Sequence, residues 1–221
     1  ELPPGVQYDT RQVGTAEGKI PVYRVELAPA ASKAADSITV DISRTGGHLV
    51  SFLNSRPLGA GTLDLQQVES KASEYLKQKK FPSLIATYTQ LDEALTTATV
   101  SYAGYENRVV IYPDLVKVKV ALDNGQIIGV DNLGYLMSHY DRTLPKPKVS
   151  ESRVSEEAAA RVKVEKVRLA LIPFDSKREV LCFEVKGMVN DEDYYLYFNA
   201  ETGEQEKILK VIKTQQGPLT L

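Results

Sequence analysis

Two histidines are the chain's general-base candidates, His48 and His139. His139 stands in the run SHYD, directly after Ser138 and two residues before Asp141. These are the residue types of a nucleophile, a base and an orienting carboxylate. Near neighbours in sequence rarely meet in the geometry of a hydrolytic triad, so the spacing argues against that chemistry. His48 follows the turn glycine Gly47 and is expected as an exposed turn residue. The run Asp191-Glu192-Asp193 offers carboxylates for calcium or for glycoside hydrolysis. It lacks the glycine-punctuated ligand spacing of a calcium loop, and a glycosidase pair must flank a substrate rather than adjoin in sequence. A solvated hairpin turn is the expectation there. Cys182, the single cysteine, cannot form an intramolecular disulfide and lies in the strand-like run REVLCFEV, where a buried, inert thiol is expected. Neither a Cys/His cluster of zinc type nor a phosphate-cradling G-x-x-x-x-G-K run occurs. No catalytic, cofactor-binding or metal-binding residue is assigned, and no enzymatic activity is expected.

The elements that would position these groups repeat. Gly47, Gly125 and Gly203 are evenly spaced, and each closes a turn between two β-patterned runs: ITVDISRTGGHLVSF (38–52), VKVKVALDNGQIIGV (116–130) and YYLYFNAETGEQEKI (194–208). Repetition at this scale marks a supersecondary unit copied along the chain. Gly46-Gly47 and Asn124-Gly125 suit tight hairpin turns, and Ala200 to Gly203 suits a type I turn closed by a left-handed glycine.

Helices precede the second and third of these hairpins. The segment 63–80, LDLQQVESKASEYLKQKK, has Asp64 as N-cap with Gln67 completing a capping box, and Leu63 placed to staple onto Val68. Leu65, Val68, Ala72, Tyr75 and Leu76 form one apolar stripe, while Lys77, Lys79 and Lys80 favour the C-terminal end and Pro82 stops the helix. A second start is expected at Ser155, with Glu156 and Glu157 in the first turn and Val154 stapling onto Ala159. Strands are expected in LIATYTQL, LTTATVSYAG, VVIYP, VEKVRLALIP and EVLCFEVKGMV, and a short helix in 133–140. From Asp64 to Gly125 is 61 residues, but from Ser155 to Gly203 only 48, so the even glycine spacing is partly coincidence. The shared order of helix, strands and glycine hairpin is the signal. The same offsets place the first unit's helix upstream of Glu1, and the chain is expected to be part of something longer.

The resulting fold class is α+β: tandem units, each an antiparallel sheet of three to four strands packed on one helix, with the first unit lacking its helix. Residues 1–57 form that partial unit, 58–140 the second, 141–153 a linker rich in proline and charge, and 154–221 the third. A unit of about 60 residues is marginal alone and gains from packing against its neighbours. Apolar content of 43 %, charged content of 25 % and a formal charge of −2 describe a folded chain without a broad cationic surface, so neither nucleic acid nor anionic lipid is an expected partner. No run approaches the roughly 20 apolar residues of a membrane span. Twelve tyrosines accompany no tryptophan. Tyr102, Tyr105 and Tyr112 crowd one region, and alternation puts Tyr195 and Tyr197 opposite Tyr194, Leu196 and Phe198. Coverage of both sheet faces is the expected meaning, with a partner-binding patch as the alternative.

A capped helix followed by antiparallel strands and a hairpin of the form V-x-V-x-x-x-x-G-x-I resembles the PepSY domain. Three such units, with the stretch VALDNGQIIGVDNLGYLMSHY, resemble the C-terminal region of the YpeB family of sporulation and germination proteins. That resemblance implies a non-enzymatic protein of the spore, on the outer side of the inner membrane facing the cortex, tethered by an N-terminal segment not contained here. It implies action with the cortex-lytic enzyme SleB, a peptidoglycan hydrolase held and restrained until germination. Segments 55–62 and 138–153 are then the expected points of proteolytic release. PepSY units also occur in peptidase propeptides, so a peptidase inhibitor is one alternative and a passive peptidoglycan-associated scaffold another. The third unit carries Gln205 and Glu206 where the second has Ile127 and Ile128, so one surface of its sheet is expected to be wetter.

Overall fold

In a computed structural model, residues 7–30, 37–174, 178–214 and 217–220 are described. Thirteen strands and three helices follow in the order β1 (Tyr8–Ala16), β2 (Val22–Pro29), β3 (Ile38–Ser43), β4 (Leu49–Asn54), α1 (Leu65–Gln78), β5 (Leu84–Asp92), β6 (Thr97–Glu106), β7 (Val109–Ala121), β8 (Ile127–Asp131), α2 (Leu133–Ser138), α3 (Glu151–Ala159), β9 (Lys163–Pro173), β10 (Glu179–Val189), β11 (Glu192–Asn199), β12 (Gln205–Thr214) and β13 (Gly217–Thr220). The repeat is therefore helix plus four strands: α1 with β5–β8, α3 with β9–β12, and β1–β4 with no helix before them among the described residues. The α+β class is as the sequence predicts, and so is the order of helix, strands and glycine hairpin in the second and third repeats.

The three glycine hairpins agree in detail. Gly47, Gly125 and Gly203 have φ of 65°, 76° and 83°, in the left-handed region that a side chain disfavours. Each hairpin slips register at the same step, between Asp41 and Ile42, Lys119 and Val120, and Tyr197 and Phe198. Each is then closed by the same backbone bond, from Ser43 N to His48 O, Ala121 N to Gln126 O and Asn199 N to Glu204 O, at 2.8–2.9 Å. A bulge beside a left-handed glycine tightens the local twist, and its recurrence identifies three copies of one turn.

Helix α1 starts as expected. Asp64 Oδ1 accepts from Gln67 N at 2.8 Å and Gln67 Oε1 accepts from Asp64 N at 3.0 Å, which completes the capping box. Val68, Ala72, Tyr75 and Leu76 are buried, whereas Leu65 is 48 % exposed and falls outside the stripe predicted for it. The helix ends with Lys80 at φ 56° and a bond from Phe81 N to Leu76 O, a Schellman closure with lysine where glycine is usual.

Helix α3 starts five residues earlier than predicted. Ser150, not Ser155, is the N-cap: its Oγ accepts from Arg153 N, and Lys148 N and Val149 N are tied to Ala200 O. The physical reason is burial. Starting at Ser150 places Val154 and Ala158 one turn apart on the core face, while Ala159, the predicted staple partner, faces solvent. Measured from their caps, Val68 and Ala72 occupy the same positions in α1 as Val154 and Ala158 do in α3. VVIYP and VKVKV also turn out to be one thirteen-residue strand, β7, preceded by a tight turn with Asn107 and Arg108 at φ 50° and 66°.

The chain divides into two compact units. The first comprises Glu1–Pro82, Ala86–Tyr102 and Leu115–Ser138, and the second Ser83–Ile85, Ala103–Asp114 and His139–Leu221. In the first unit strands pair antiparallel in the order β1-β2-β3-β4-β8-β7, the last by its C-terminal half. In the second unit the start of β7 pairs in parallel with β9, Val109 opposite Leu169 and Ile111 opposite Leu171, and β9-β10-β11-β12-β13 continue antiparallel. Both faces of this second sheet are filled. On one, Val109, Ile111, Phe183, Leu196 and Phe198 pack with Val154 and Ala158 of α3. On the other, Ala103, Val110, Ala170, Cys182 and Tyr197 form a second cluster, with Tyr105, Tyr112 and Tyr195 against it. The tyrosines therefore cover a sheet face, and the alternation predicted for 194–198 is the observed one.

Candidate functional site

The groups that could do chemistry are held in two buried networks of the second unit. Glu184, on β10, is 2 % exposed and lies on the face shared with Tyr112 and Tyr197. Its Oε2 accepts from Tyr112 OH at 2.5 Å and from Tyr197 OH at 3.0 Å, and its Oε1 accepts from Arg168 Nε at 2.6 Å. Arg168 Nη2 also donates to Tyr112 OH at 2.9 Å, closing a ring of three side chains to which Tyr197 is joined through Glu184. Burial is the main force raising the Tyr112 and Tyr197 hydroxyls far above the ordinary phenol range, and the Glu184 charge adds to it. Such hydroxyls stay protonated and donate. With its two oxygens committed to Arg168 and two phenols, Glu184 is a structural charge.

The second network fastens the segment predicted as a linker. Arg142 has a side chain only 4 % exposed and donates twice to Glu179, Nε to Oε2 and Nη2 to Oε1, both at 2.9 Å. Its Nη1 donates to Asp114 Oδ1 at 2.9 Å, and its guanidinium stacks 4.1 Å from the centre of the Tyr140 ring. Tyr140 OH donates to Glu179 Oε2 at 2.9 Å. The Arg142 hydrogen bond is the main reason the Glu179 carboxyl sits below its ordinary range. His139 joins here: its Nδ1 lies 2.6 Å from Asp114 Oδ2. The carboxylate bonded to His139 is thus Asp114, 25 residues away, and Asp141 is exposed. Leu144 and Val149 continue the segment onto the core that α3 covers.

The remaining sequence candidates lie apart. His48 is exposed beside its turn, as expected. Asn190 and Asp191 form the turn between β10 and β11, at φ 50° and 64°, with Asp191 and Glu192 exposed; Glu192 pairs with Lys210 at 2.6 Å. The acidic run is a solvated turn. Cys182 is fully buried and its thiol is pushed up to about 12, chiefly by burial, so it is inert near neutrality. Gln205 and Glu206 are taken up by Arg161 and Asn199 respectively.

In the first unit, segment 55–62 has no regular structure yet is clamped. Arg56 Nη1 and Nη2 reach Asp123 Oδ2 and Oδ1, both at 2.8 Å, and Arg56 Nε donates to Gln126 Oε1 at 2.6 Å. Gly59 N donates to Asp123 Oδ2, and Thr62 N and Leu63 N donate to Leu122 O. The Arg56 guanidinium holds the Asp123 carboxyl at about 2. Beside this unit's first hairpin lies a groove of about 620 Å³, mostly apolar, with Leu27, Ile38, Val40 and Phe52 in its wall. A second hollow of about 520 Å³ is lined by Arg24 and Asp41, which pair through two 2.7 Å bonds. Among the described residues no group of three or more His, Cys, Asp or Glu is placed to hold a metal ion, and no helix is long and apolar enough to cross a membrane.

Sequence reasoning did not single out Glu184, Arg168, Arg142, Glu179, Asp114, Arg56 or Asp123. A signal existed for one of them, since Glu184 interrupts the apolar alternation of VLCFEV. Nothing local pairs residues 13 to 72 positions apart, as these networks do.

Residues 4–145 match the family model for the YpeB sporulation PepSY1 and PepSY2 domains. The chain belongs to the YpeB family. Residues 148–209 match the peptidase propeptide and YPEB domain, so YpeB-type PepSY units account for nearly the whole sequence. The sporulation protein YpeB of Halalkalibacterium halodurans is 36 % identical over 172 residues, covering 78 % of this chain and 38 % of that protein. That of Bacillus subtilis is 32 % identical over 190 residues, covering 86 % and 42 %. The chain thus spans about two fifths of the length of the curated relatives it matches. The Bacillus megaterium YpeB C-terminal domain superposes with a TM-score of 0.81 at 28 % identity, over 95 % of this chain and 91 % of that one. The sporulation family that the triple hairpin suggested is the family of this chain.

Proposed function

We propose that this region is a non-catalytic scaffold of the spore that binds a cortex-lytic enzyme, SleB by the family resemblance, and keeps it stable and restrained until germination. The scaffold would stand on the outer side of the inner membrane, facing the cortex, tethered by a segment outside these 221 residues. Peptidoglycan contact would be secondary. The observation that carries the reading is the commitment of Glu184, Asp114, Arg142 and Arg168 to one another within buried structural networks. These groups are spent on holding the sheet and its strap, which suits a protein that works by contact. Release would require proteolysis, and the segments 55–62 and 138–153 must open locally before a protease can enter.

The test is a binding and lifetime measurement with the purified lytic enzyme. A stable complex, with slower degradation and lower cortex turnover by the enzyme, is the expected result. An enzyme that neither binds nor changes in activity or lifetime overturns the reading.

A second reading follows from the match of residues 148–209 to a domain described as a peptidase propeptide. Under it the third repeat would inhibit a peptidase. Inhibition of spore or secreted peptidases by this chain, without effect on the lytic enzyme, would favour it.

A further inference from the structure

Of the three glycine hairpins, the second alone places asparagine before its turn glycine; Gly46 and Thr202 stand at that position in the first and third. Asparagine is among the thermally labile residues, because its side-chain carbonyl is open to attack by the backbone nitrogen that follows it. A following glycine, with no Cβ, leaves that nitrogen uncrowded. Asn124 is exposed, so water and hydroxide reach it. Three hydrogen bonds nevertheless occupy the reacting groups. The Gly125 nitrogen donates to Ala121 O at 2.9 Å. Asn124 Oδ1 accepts from Gln126 N and from Arg56 Nη2, both at 2.9 Å. Gly125 is itself buried, packed against Leu63 and Lys71. Arg56 is the distant member of this set, 68 residues from Asn124, and it belongs to the irregular segment 55–62. The labile dipeptide and the arginine clamp thus meet in one turn.

We propose that Asn124 is a modification site of the chain itself, kept silent while Arg56 is clamped on the hairpin and converted once segment 55–62 opens. Opening frees the Asn124 carboxamide from Arg56 and unties the turn at Asp123. The turn then frays, and Gly125 N leaves Ala121 O. That nitrogen loses its proton to hydroxide and attacks Asn124 Cγ. The new C–N bond closes a succinimide, the Cγ–Nδ2 bond breaks, and the carboxamide nitrogen leaves as ammonia. Water opens the ring at either carbonyl, giving aspartate or isoaspartate. No oxidant or cofactor is required. Both products place a second carboxylate beside Asp123. Isoaspartate also adds a methylene to the backbone next to the glycine whose φ of 76° sets the turn. On that longer backbone the closure from Ala121 N to Gln126 O cannot re-form. Conversion is therefore one-way, and it records that the clamp has opened. The inference needs only the clamp and not the lytic enzyme, so its failure would leave the scaffold reading untouched.

The test follows, by mass spectrometry after digestion, the fragment containing Asn124, which becomes about 1 Da heavier on conversion. The full 221-residue chain is held in mildly alkaline buffer, and a synthetic peptide of residues 119–130 gives the unprotected rate. The wild-type chain should convert at least about tenfold more slowly than that peptide, as a group protected by local structure does. Arg56→Ala should convert at least about threefold faster than the wild type. Arg56→Lys keeps a charge but not the paired bonds to Asp123, so it should fall between the two, and it decides the question where alanine unfolds the chain. The converted chain, separated by ion exchange, should be cut faster within 55–62 than its parent. A wild-type rate equal to that of the peptide overturns the proposal. So does a folded Arg56 variant that converts no faster than the wild type, which would assign the protection to the turn alone. A converted chain as resistant to cleavage as its parent would show that the clamp re-forms, and it also overturns the proposal.

Discussion

Arg56 and Asp123 face each other through two 2.8 Å hydrogen bonds across 67 residues of sequence. The pair joins an irregular segment to the turn of the second glycine hairpin, and it makes a proline- and glycine-rich stretch part of the folded surface. Asp123→Asn should cost about 1–2 kcal/mol in urea unfolding. It should also speed cleavage within 55–62 in limited proteolysis while leaving sites elsewhere unchanged. The carboxyl is held at about 2 against an ordinary 3.8, chiefly by Arg56. A lowered folded-state value means the stabilisation is complete above pH 4 and is lost as the pH falls towards 2. Acid titration of the wild type and the variant should therefore converge in that window.

Glu184 gives the sharpest test of the buried network. Glu184→Ala leaves the Arg168 guanidinium without its partner in a largely dry site and should destabilise by about 3–5 kcal/mol. Tyr197→Phe removes one hydrogen bond and should cost about 1 kcal/mol. The Tyr112 and Tyr197 hydroxyls are raised by burial, so their contribution is present below pH 10 and is lost only as the pH rises beyond it. Ultraviolet titration should show both ionising only with alkaline unfolding. Ionisation in the intact fold would refute the ring of hydrogen bonds.

The cap of α3 can be decided by two serines. Ser150→Ala should cost about 1 kcal/mol, because Arg153 N loses its acceptor. Ser155→Ala lies inside the helix, where alanine is the better helix former, and should be neutral or slightly stabilising in thermal unfolding. The reverse ranking would return the helix start to Ser155.

Lys80 stands at φ 56° in the Schellman closure of α1. Lys80→Gly should raise stability by about 0.5–1 kcal/mol, read as a higher urea midpoint at unchanged slope. A loss of stability would show that Lys80 contributes by more than its backbone.

The sequence determined by itself what is local. Asp64 and Gln67 stand three apart and cap a helix, a glycine between alternating runs closes a hairpin, and three such hairpins reveal a repeated unit and its family. Period and turn chemistry act within a few residues, so they are readable without coordinates. Leu65 and Ser155 mark where that reading failed. Both satisfy a local rule, and both lost to burial elsewhere, of Val68 and Ala72 in one helix and of Val154 and Ala158 in the other. Only the tertiary structure decided that Asp114 serves His139 and Arg142, that Glu184 joins Arg168 to two tyrosines, and that β7 lies parallel to β9. It also decided that Val40 lines a groove where its counterparts Leu196 and Val118 are buried. A charge finds its partner through space, and the low dielectric around it makes that choice stringent, while the sequence records only that the charge is there.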